Sequence, residues 1–289
     1  MHGFLDQIAR CTKHDLHTFM PFFINGTQLG WIKRPLAELI LKNMAEDFSR
    51  ENDGIILSPK YDNYEKCTEA LARAATWISN HYNVQLRHEM YDIRNSWNDK
   101  SLAKIDRAAV PWFGTLGFGV HVNGYVRKPD GIYMWIGERA ANRQVEPGKL
   151  DIIIGGGIPV GISVEENLIK EAWEEAGLKA DIARQATAHG TLSYLVEHQL
   201  GLRNDTLFIY DLELPPEVIP QNTDGEVAAF HLMPIDKVAQ IIQTTERFKF
   251  NCNTVVIDFL LRHGFITPEN KEYNELSRII GNMRKPYSF

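Results

Sequence analysis

Residues 155–178, GGGIPVGISVEENLIKEAWEEAGL, constrain this chain more than any other stretch. Ser163 and Glu166 form an S-x-x-E capping box, whose side chains satisfy backbone N–H groups left unpaired at a helix start, so Ser163 is the predicted N-cap. Gly177 is the predicted C′ residue, because glycine takes the left-handed conformation that ends a helix without a Cβ clash. Between them Leu168, Ile169, Ala172, Trp173 and Ala176 recur at the helical period and predict one buried apolar face. Glu171, Glu174 and Glu175 fall roughly opposite, at i, i+3 and i+4, so their carboxylates project to one side. Like charges at that spacing cost roughly a few tenths of a kcal/mol per pair. A hard divalent cation reverses the sign, since it gathers anionic oxygens; Mg²⁺ commonly takes one or two carboxylates, keeps some waters and completes its shell with substrate phosphate. A solvated acidic helix face is the plainer alternative for the glutamates alone. The glycine-rich run before the helix weighs against it, because glycine lets a backbone approach a ligand closely and a helix N-terminus favours anions.

A helix of this kind needs a sheet to cover, and the sequence around it supplies strands. Residues 118–126 alternate in polarity, the turn Lys128-Pro129-Asp130-Gly131 follows, and 132–136 return as a strand. Short strands are predicted at 150–154, 192–198, 206–214 and 226–233, and helices at 235–242 and 253–263. The preceding part of the chain reads as a separate unit: a hairpin about Asn25-Gly26, a strong turn dipeptide, then helical periodicity at 36–44 and 64–82. Residues 95–107 are polar and charged, Pro111 follows, and the domain boundary is placed there. The length of 289 residues accommodates two domains of ordinary size. The expectation is an α/β (α+β) protein: an accessory domain over 1–107, a larger α/β/α sandwich with a mixed sheet over 108–265, and a C-terminal tail over 266–289.

Composition excludes several classes of function. The net charge of −6 and the absence of a basic stripe argue against a nucleic-acid polymer as partner. A phosphorylated small molecule remains compatible if bound cations or local basic groups offset the repulsion. Cys11, Cys67 and Cys252 are odd in number, far apart and without a CxxC pair, so neither a disulfide framework nor a zinc cluster is predicted. Residues 1–10 have no apolar leader core, and the longest apolar stretch, 255–261, is far too short for a membrane span. A soluble, cytoplasmic protein is the expectation. No G-x-S-x-G elbow is present, which leaves serine-hydrolase chemistry unsupported.

The segment resembles the Nudix box: Gly, five residues, Glu, seven residues, then Arg-Glu-U-x-Glu-Glu-x-Gly-U with U aliphatic. Gly156 matches the first glycine, and Lys170-Glu171-Ala172-Trp173-Glu174-Glu175-Ala176-Gly177-Leu178 matches the second block at the right spacing. Two positions depart: Ile162 stands in place of the isolated Glu, and Lys170 in place of Arg. In the family that Glu commonly pairs with that Arg, so loss of one partner makes loss of the other less surprising. The resemblance implies a Mg²⁺-dependent hydrolase, with Mn²⁺ able to substitute, acting on a small-molecule diphosphate. It carries metal binding to Glu171, Glu174 and Glu175, with Glu171 and Glu175 one helical turn apart. Glu174, Glu175 and Glu226 are the candidate catalytic carboxylates; Asp224 and Glu226, in DGEV, are the acids from outside the box that could join the site as ligand or base. Gly155, Gly156 and Arg139 are the candidate substrate contacts, the arginine because its guanidinium can grip phosphate bidentately.

The resemblance extends to a Nudix subgroup with an N-terminal domain of unknown function, found in plants, fungi and bacteria and in places fused to thiamine pyrophosphokinase. The matching phrases are AVPWFGT at 109–115, GVHVNGYV at 119–126, GGGIPVGIS at 155–163, DGEV at 224–227 and DFLLRHG at 258–264; PFFING at 21–26 and Gly30-Trp31 resemble its first domain. This implies cleavage of thiamine diphosphate or its oxidised oxo and oxy analogues to monophosphates. ADP-ribose, nucleotide-sugar or coenzyme A cleavage is the alternative within the family. A ligand-sensing module without turnover is the alternative outside catalysis, and an isopentenyl-diphosphate isomerase lacks its cysteine within the box half, where only Cys252 occurs. His121, His189 and His198 read as structural histidines, and Trp112, Phe113, Trp135 and Tyr194 as core residues able to stack on a ring.

Overall fold

The computed structural model describes residues 3–143 and 145–285. Asn25 and Gly26 take φ of 48° and 77°, the positive pair a two-residue hairpin turn requires, and join β1 (Phe19–Ile24) to β2 (Thr27–Lys33). Helix α2 (Arg34–Asn43) begins with Pro35 in its first turn, where a missing N–H costs nothing. Strands β3 (Phe48–Glu51) and β4 (Gly54–Leu57) complete a sheet of order β2-β1-β4-β3, covered by α3 (Tyr64–Tyr82), whose small and apolar residues Cys67, Ala70, Leu71, Ala74 and Ile78 are buried. The polar stretch expected as a linker is ordered. Strand β5 (Met90–Ile93) pairs with β6 (Ala103–Asp106), and Asp106 accepts the backbone N–H groups of Arg87, His88 and Ala108 at 2.7–3.0 Å. Short helix α4 (Val110–Phe113) then inserts Trp112 and Phe113 into the first core.

The second unit is the expected sandwich. Its sheet runs β13-β8-β7-β12-β11-β14, with β7 (Leu116–Lys128), β8 (Gly131–Arg139), β11 (Thr187–His198), β12 (Gly201–Glu213), β13 (Val227–Pro234) and β14 (Arg284–Lys285). Strand β12 lies parallel to β7 and the other pairings are antiparallel, so the sheet is mixed. Strand β9 (Leu150–Asp151) adds to β8, and β10 (Ile154–Gly157) adds to β7. Alternation along the strands separates two cores. Phe118, Val120, Val122, Phe208 and Tyr210 meet α5 (Val164–Ala176), with α6 (Ala180–Ala183) beyond it. Leu207, Ile209, Leu192 and Tyr194 meet α7 (Ile235–Thr244), α8 (Cys252–Arg262) and α9 (Tyr273–Met283) on the opposite face.

Two parts of the expected domain layout are corrected. Helix α1 (Phe4–Thr12) does not join the first unit: Phe4, Ile8 and Cys11, on one helical face, are buried in the second core. Residues 266–285 are not a tail, since Leu276, Ile280 and Met283 of α9 are buried in that same core and β14 extends the sheet; residues 286–289 lie outside the described residues. Within α5 the buried stripe is Val164, Leu168, Ala172 and Ala176, while Trp173, predicted to be buried, is 53% exposed. The stripe turns away from it because Glu175 takes a place against the sheet. The three cysteines are free and buried.

Candidate active site

The glycine run is a strand rather than a turn. Gly155, Gly156 and Gly157 pair with His121, Val120 and Gly119 of β7, and residues 158–163 separate them from α5. Their reading as a phosphate cradle at the helix N-terminus is therefore corrected. What the glycines supply is room. A Cβ at 156 would stand 2.1 Å from Cδ of Glu171, and one at 157 would stand 1.6 Å from the Tyr91 hydroxyl. The Gly155 N–H donates to Glu175 Oε2 at 2.7 Å. Strand β10 thus holds the α5 carboxylates on one side and meets β5 of the first unit on the other, where Val160 N–H donates to the Met90 carbonyl at 2.9 Å.

The box glutamates occupy unequal environments. Glu175 is 8% exposed, and among the described residues no ion pair reaches it. Burial, then the adjacent Glu171 carboxylate, pushes its carboxyl well above the usual range, with the Gly155 N–H opposing. Glu171 is also raised by burial, opposed by Lys170. Glu174 is half-exposed, and the Lys170 ammonium bridges Glu171 at 3.1 Å and Glu174 at 2.9 Å. With Ile162 offering no carboxylate to the lysine, Lys170 turns to the glutamates of its own helix. Glu171 and Glu175 are brought together against β10, whereas Glu174 is drawn toward solvent.

Below Glu175 lies a cluster the sequence reading missed. Asp151 accepts from Arg139 Nη1 at 2.8 Å, from Lys249 Nζ at 3.2 Å and from Cys252 Sγ at 2.6 Å. Burial would raise the Asp151 carboxyl, but Lys249 and then Arg139 outweigh it and hold it at about 2. Arg139 also donates to the Val145 carbonyl at 3.1 and 2.9 Å, so its assignment to substrate phosphate is corrected: the guanidinium is taken up by Asp151 and a loop carbonyl. A cavity of about 10 Å³, lined by Glu175, Glu226, Arg139 and Asp151, separates this cluster from the end of β13. Glu226 reaches it while paired with Arg143, and Asp224 folds back to accept the Glu226 N–H at 2.8 Å. Tyr91 and Arg107, from the first unit, also approach Glu171 closely enough to feel its charge. His121 lies buried beneath Gly155, and burial, followed by Lys249, lowers it to about 3, which keeps it neutral.

The donor set fits a hard divalent ion. It consists of carboxylate oxygens, one of them buried without a cationic partner, beside a space of about one water. No group of three His, Cys, Asp or Glu side chains among the described residues closes into a metal cage. An ion that takes one or two carboxylates and leaves the rest of its shell to water and phosphate has no need of one. Gly156→Ala tests the cradle: the added methyl displaces the Glu171 side chain, so Mn²⁺ affinity measured by calorimetry is expected to fall about tenfold while the thermal midpoint shifts little. An unchanged affinity would show that Glu171 is not a ligand.

A mixed sheet between helices carries two helical carboxylates, Glu175 buried and Glu171 partly buried, against a glycine strand, an arrangement suited to metal-assisted hydrolysis of a phosphoanhydride. Residues 117–252 match the Nudix domain, residues 3–117 match a domain of unknown function, DUF4743, and the chain belongs to the Nudix hydrolase family. It is 39% identical over 284 residues to Nudix hydrolase 24, chloroplastic, of Arabidopsis thaliana, covering 97% of this chain and 78% of that protein. It is 38% identical over 292 residues to Nudix hydrolase 20, chloroplastic, of the same plant, with the same coverage. Among solved structures, DR0079 from Deinococcus radiodurans is 21% identical, covering 58% of this chain and 97% of that chain at a TM-score of 0.44. The chain is therefore a hydrolase acting on pyrophosphate bonds, of a family that acts on small-molecule diphosphates and generally uses a divalent metal such as Mg²⁺ or Mn²⁺. No helix among the described residues is long and apolar enough to cross a membrane.

Proposed function

We propose that this hydrolase cleaves the diphosphate of thiamine diphosphate or, foremost, of its oxidised oxo and oxy analogues, releasing the monophosphate and orthophosphate. The observation that carries the site assignment is the pair of buried Glu175 and partly buried Glu171, held against β10 at the junction of the two units. The substrate assignment is supported by the phrases shared with the thiamine-related subgroup, which span both units. Glu171 and Glu175 would hold Mg²⁺, with Glu174 joining once released from Lys170. When bound, the ion supplies Lewis-acid polarisation of phosphoryl oxygens and lowers the pKa of a coordinated water. Glu226, which lines the small cavity beside Glu175 and pairs with Arg143, would take a proton from the attacking water. Lys170, freed from the glutamates, supplies a mobile cation for the leaving phosphate. Water adds its oxygen to phosphorus, the bridging P–O bond breaks, and the two products each keep one phosphate.

The test is a panel of diphosphates assayed with Mg²⁺ and with Mn²⁺: oxothiamine diphosphate, thiamine diphosphate, ADP-ribose, a nucleotide sugar and coenzyme A. The expected result is a kcat/KM for the oxidised thiamine compounds at least about tenfold above the others. Faster turnover of ADP-ribose would overturn the substrate assignment, and binding without any product would identify a sensing module.

A further inference from the structure

A second cavity, of about 420 Å³, opens between the units. One wall is the second unit's sheet, with Phe118, Ser193 and Thr206; the other is formed by Trp31 of β2 and by Ser96 and Trp97, just beyond β5. Trp97 stands edge-on to Phe118 and Phe208, with ring centroids 5.2 and 5.3 Å away. Arg94 fixes that geometry. Its Nη1 donates to the Trp97 carbonyl at 2.7 Å, and its guanidinium lies 4.2 Å from the Trp97 ring centroid and 5.3 Å from that of Phe118, with Asp92 beside it.

We propose that this cavity receives the non-phosphate end of the substrate, and that it takes an uncharged heteroaromatic ring with a hydrogen-bonding edge. The inference rests on the reading of Glu171 and Glu175 as the diphosphate site, and among the proposed substrates it favours the oxo analogue, whose ring is uncharged, over thiamine diphosphate and the oxy analogue, which keep a cationic thiazolium. The volume suits one ring system with its linker. Among the described residues no ionisable side chain lines it: its polar groups are amides and hydroxyls, such as the Ser193–Thr206 pair at 2.8 Å. A second phosphate would find no counter-charge there. A cationic ring would find no carboxylate, and Arg94 already lies over the faces of Trp97 and Phe118 that would otherwise attract it. A neutral ring meets aromatic surface for stacking and neutral groups for its edge, at the lowest desolvation cost.

The cavity is also in reach of the carboxylates. Phe118 accepts the Ile158 N–H at 2.9 Å, and Ile158 directly follows β10. Two residues along β7 from Phe118 is Val120, the register partner of Gly156, a rise of about 7 Å. A short linker spans that distance. The first unit thereby acquires a role: it supplies Trp31, Ser96 and Trp97, half the surface that distinguishes one diphosphate from another.

Binding of phosphate-free rings to the whole protein in EDTA separates this inference from the diphosphatase reading. Tryptophan fluorescence and calorimetry are to be recorded with adenosine, oxothiamine and thiamine. The expected result is saturable quenching by a neutral ring, with cationic thiamine binding about tenfold more weakly or not at all. Ser96→Trp fills the mouth from an exposed loop position and is expected to weaken ring binding and raise KM at least about tenfold, with kcat within about twofold and Mn²⁺ affinity unchanged. Thr206→Val, nearly isosteric, should weaken ring binding without blocking the cavity. Ring binding without hydrolysis of any diphosphate would support the cavity and sink the diphosphatase reading. Unaltered ring binding and KM in Ser96→Trp, equal binding of thiamine and oxothiamine, or no binding of any ring would overturn the inference.

Discussion

A Glu175→Gln protein is expected to lose about a thousandfold in kcat and, without metal, to be more stable than the natural chain at pH 8. The rate loss follows from removing the one box carboxylate that is buried and free of any basic partner, since the amide can neither bind a hard cation as an anion nor accept a proton. The stability gain has the opposite origin. Burial, then Glu171, raises the Glu175 carboxyl, so its folded-state pKa lies above the unfolded value of about 4.3. Such a group favours folding only while protonated, and the contribution is lost as pH rises through the folded pKa. Natural and variant proteins should therefore melt alike near pH 4.5 in EDTA and diverge on going to pH 8. Each kcal/mol of relieved repulsion raises the midpoint by about 2–4 °C. Added Mg²⁺ should stabilise the natural protein and leave the variant nearly unmoved, because an ion that binds only the folded state stabilises by mass action. Retained turnover, or a variant less stable than the natural chain at pH 8 in EDTA, would remove Glu175 from the site. The combination of lost rate and gained stability distinguishes a carboxylate kept for chemistry from one kept for folding.

Legibility of the fold followed the range of the forces involved. Helix α5 was readable because its start, stop and carboxylate spacing are all written within about four turns: Ser163 caps it with Glu166, and Gly177 ends it at φ 63°. The Asn25-Gly26 hairpin was readable for the same reason. The β5–β6 pair was not, because MYDI and AKID are weak strand sequences, and Asp106 ties them by accepting the N–H groups of Arg87 and His88, 19 and 18 residues earlier. Nor was the place of α1, because its partners in α8 and α9 lie some 250 residues downstream. The site divides along the same line. Glutamates on one helix announced themselves, whereas Asp151, Lys249 and Arg139 converge from three segments. The available clue was a lone charge in an apolar run, Asp151 in LDIII and Lys249 in FKF. Arg139 misled because an arginine at a strand end reads as free until its partner, Asp151, is placed beside it.

Asp151→Ala is expected to give the largest loss of stability, about 3–5 kcal/mol in urea denaturation, because it breaks a buried ion pair from the acidic side. The side chains of Arg139, Lys249 and Asp151 are only 10%, 13% and 12% exposed, so removal of the carboxylate leaves two cations close together and nearly dry. The natural chain's advantage should also depend on acid in a stated direction. Lys249 and Arg139 hold Asp151 at about 2, below the unfolded value of about 3.9, so its contribution is complete above pH 4 and disappears as pH falls toward 2. Lys249→Met in the Asp151→Ala background removes one stranded cation and should recover more than about 1 kcal/mol, a coupling that two independent sites would not show. The stranded cations also have somewhere to go. Glu175 already feels the charges of Asp151 and Lys249, so Lys249 without Asp151 would turn to Glu175 and compete for the carboxylate that the metal needs. Mn²⁺ affinity in Asp151→Ala should therefore fall at least about tenfold and return in the double variant. A loss below about 1 kcal/mol, or metal affinity that stays low when the lysine is gone, would sever this cluster from the carboxylates above it.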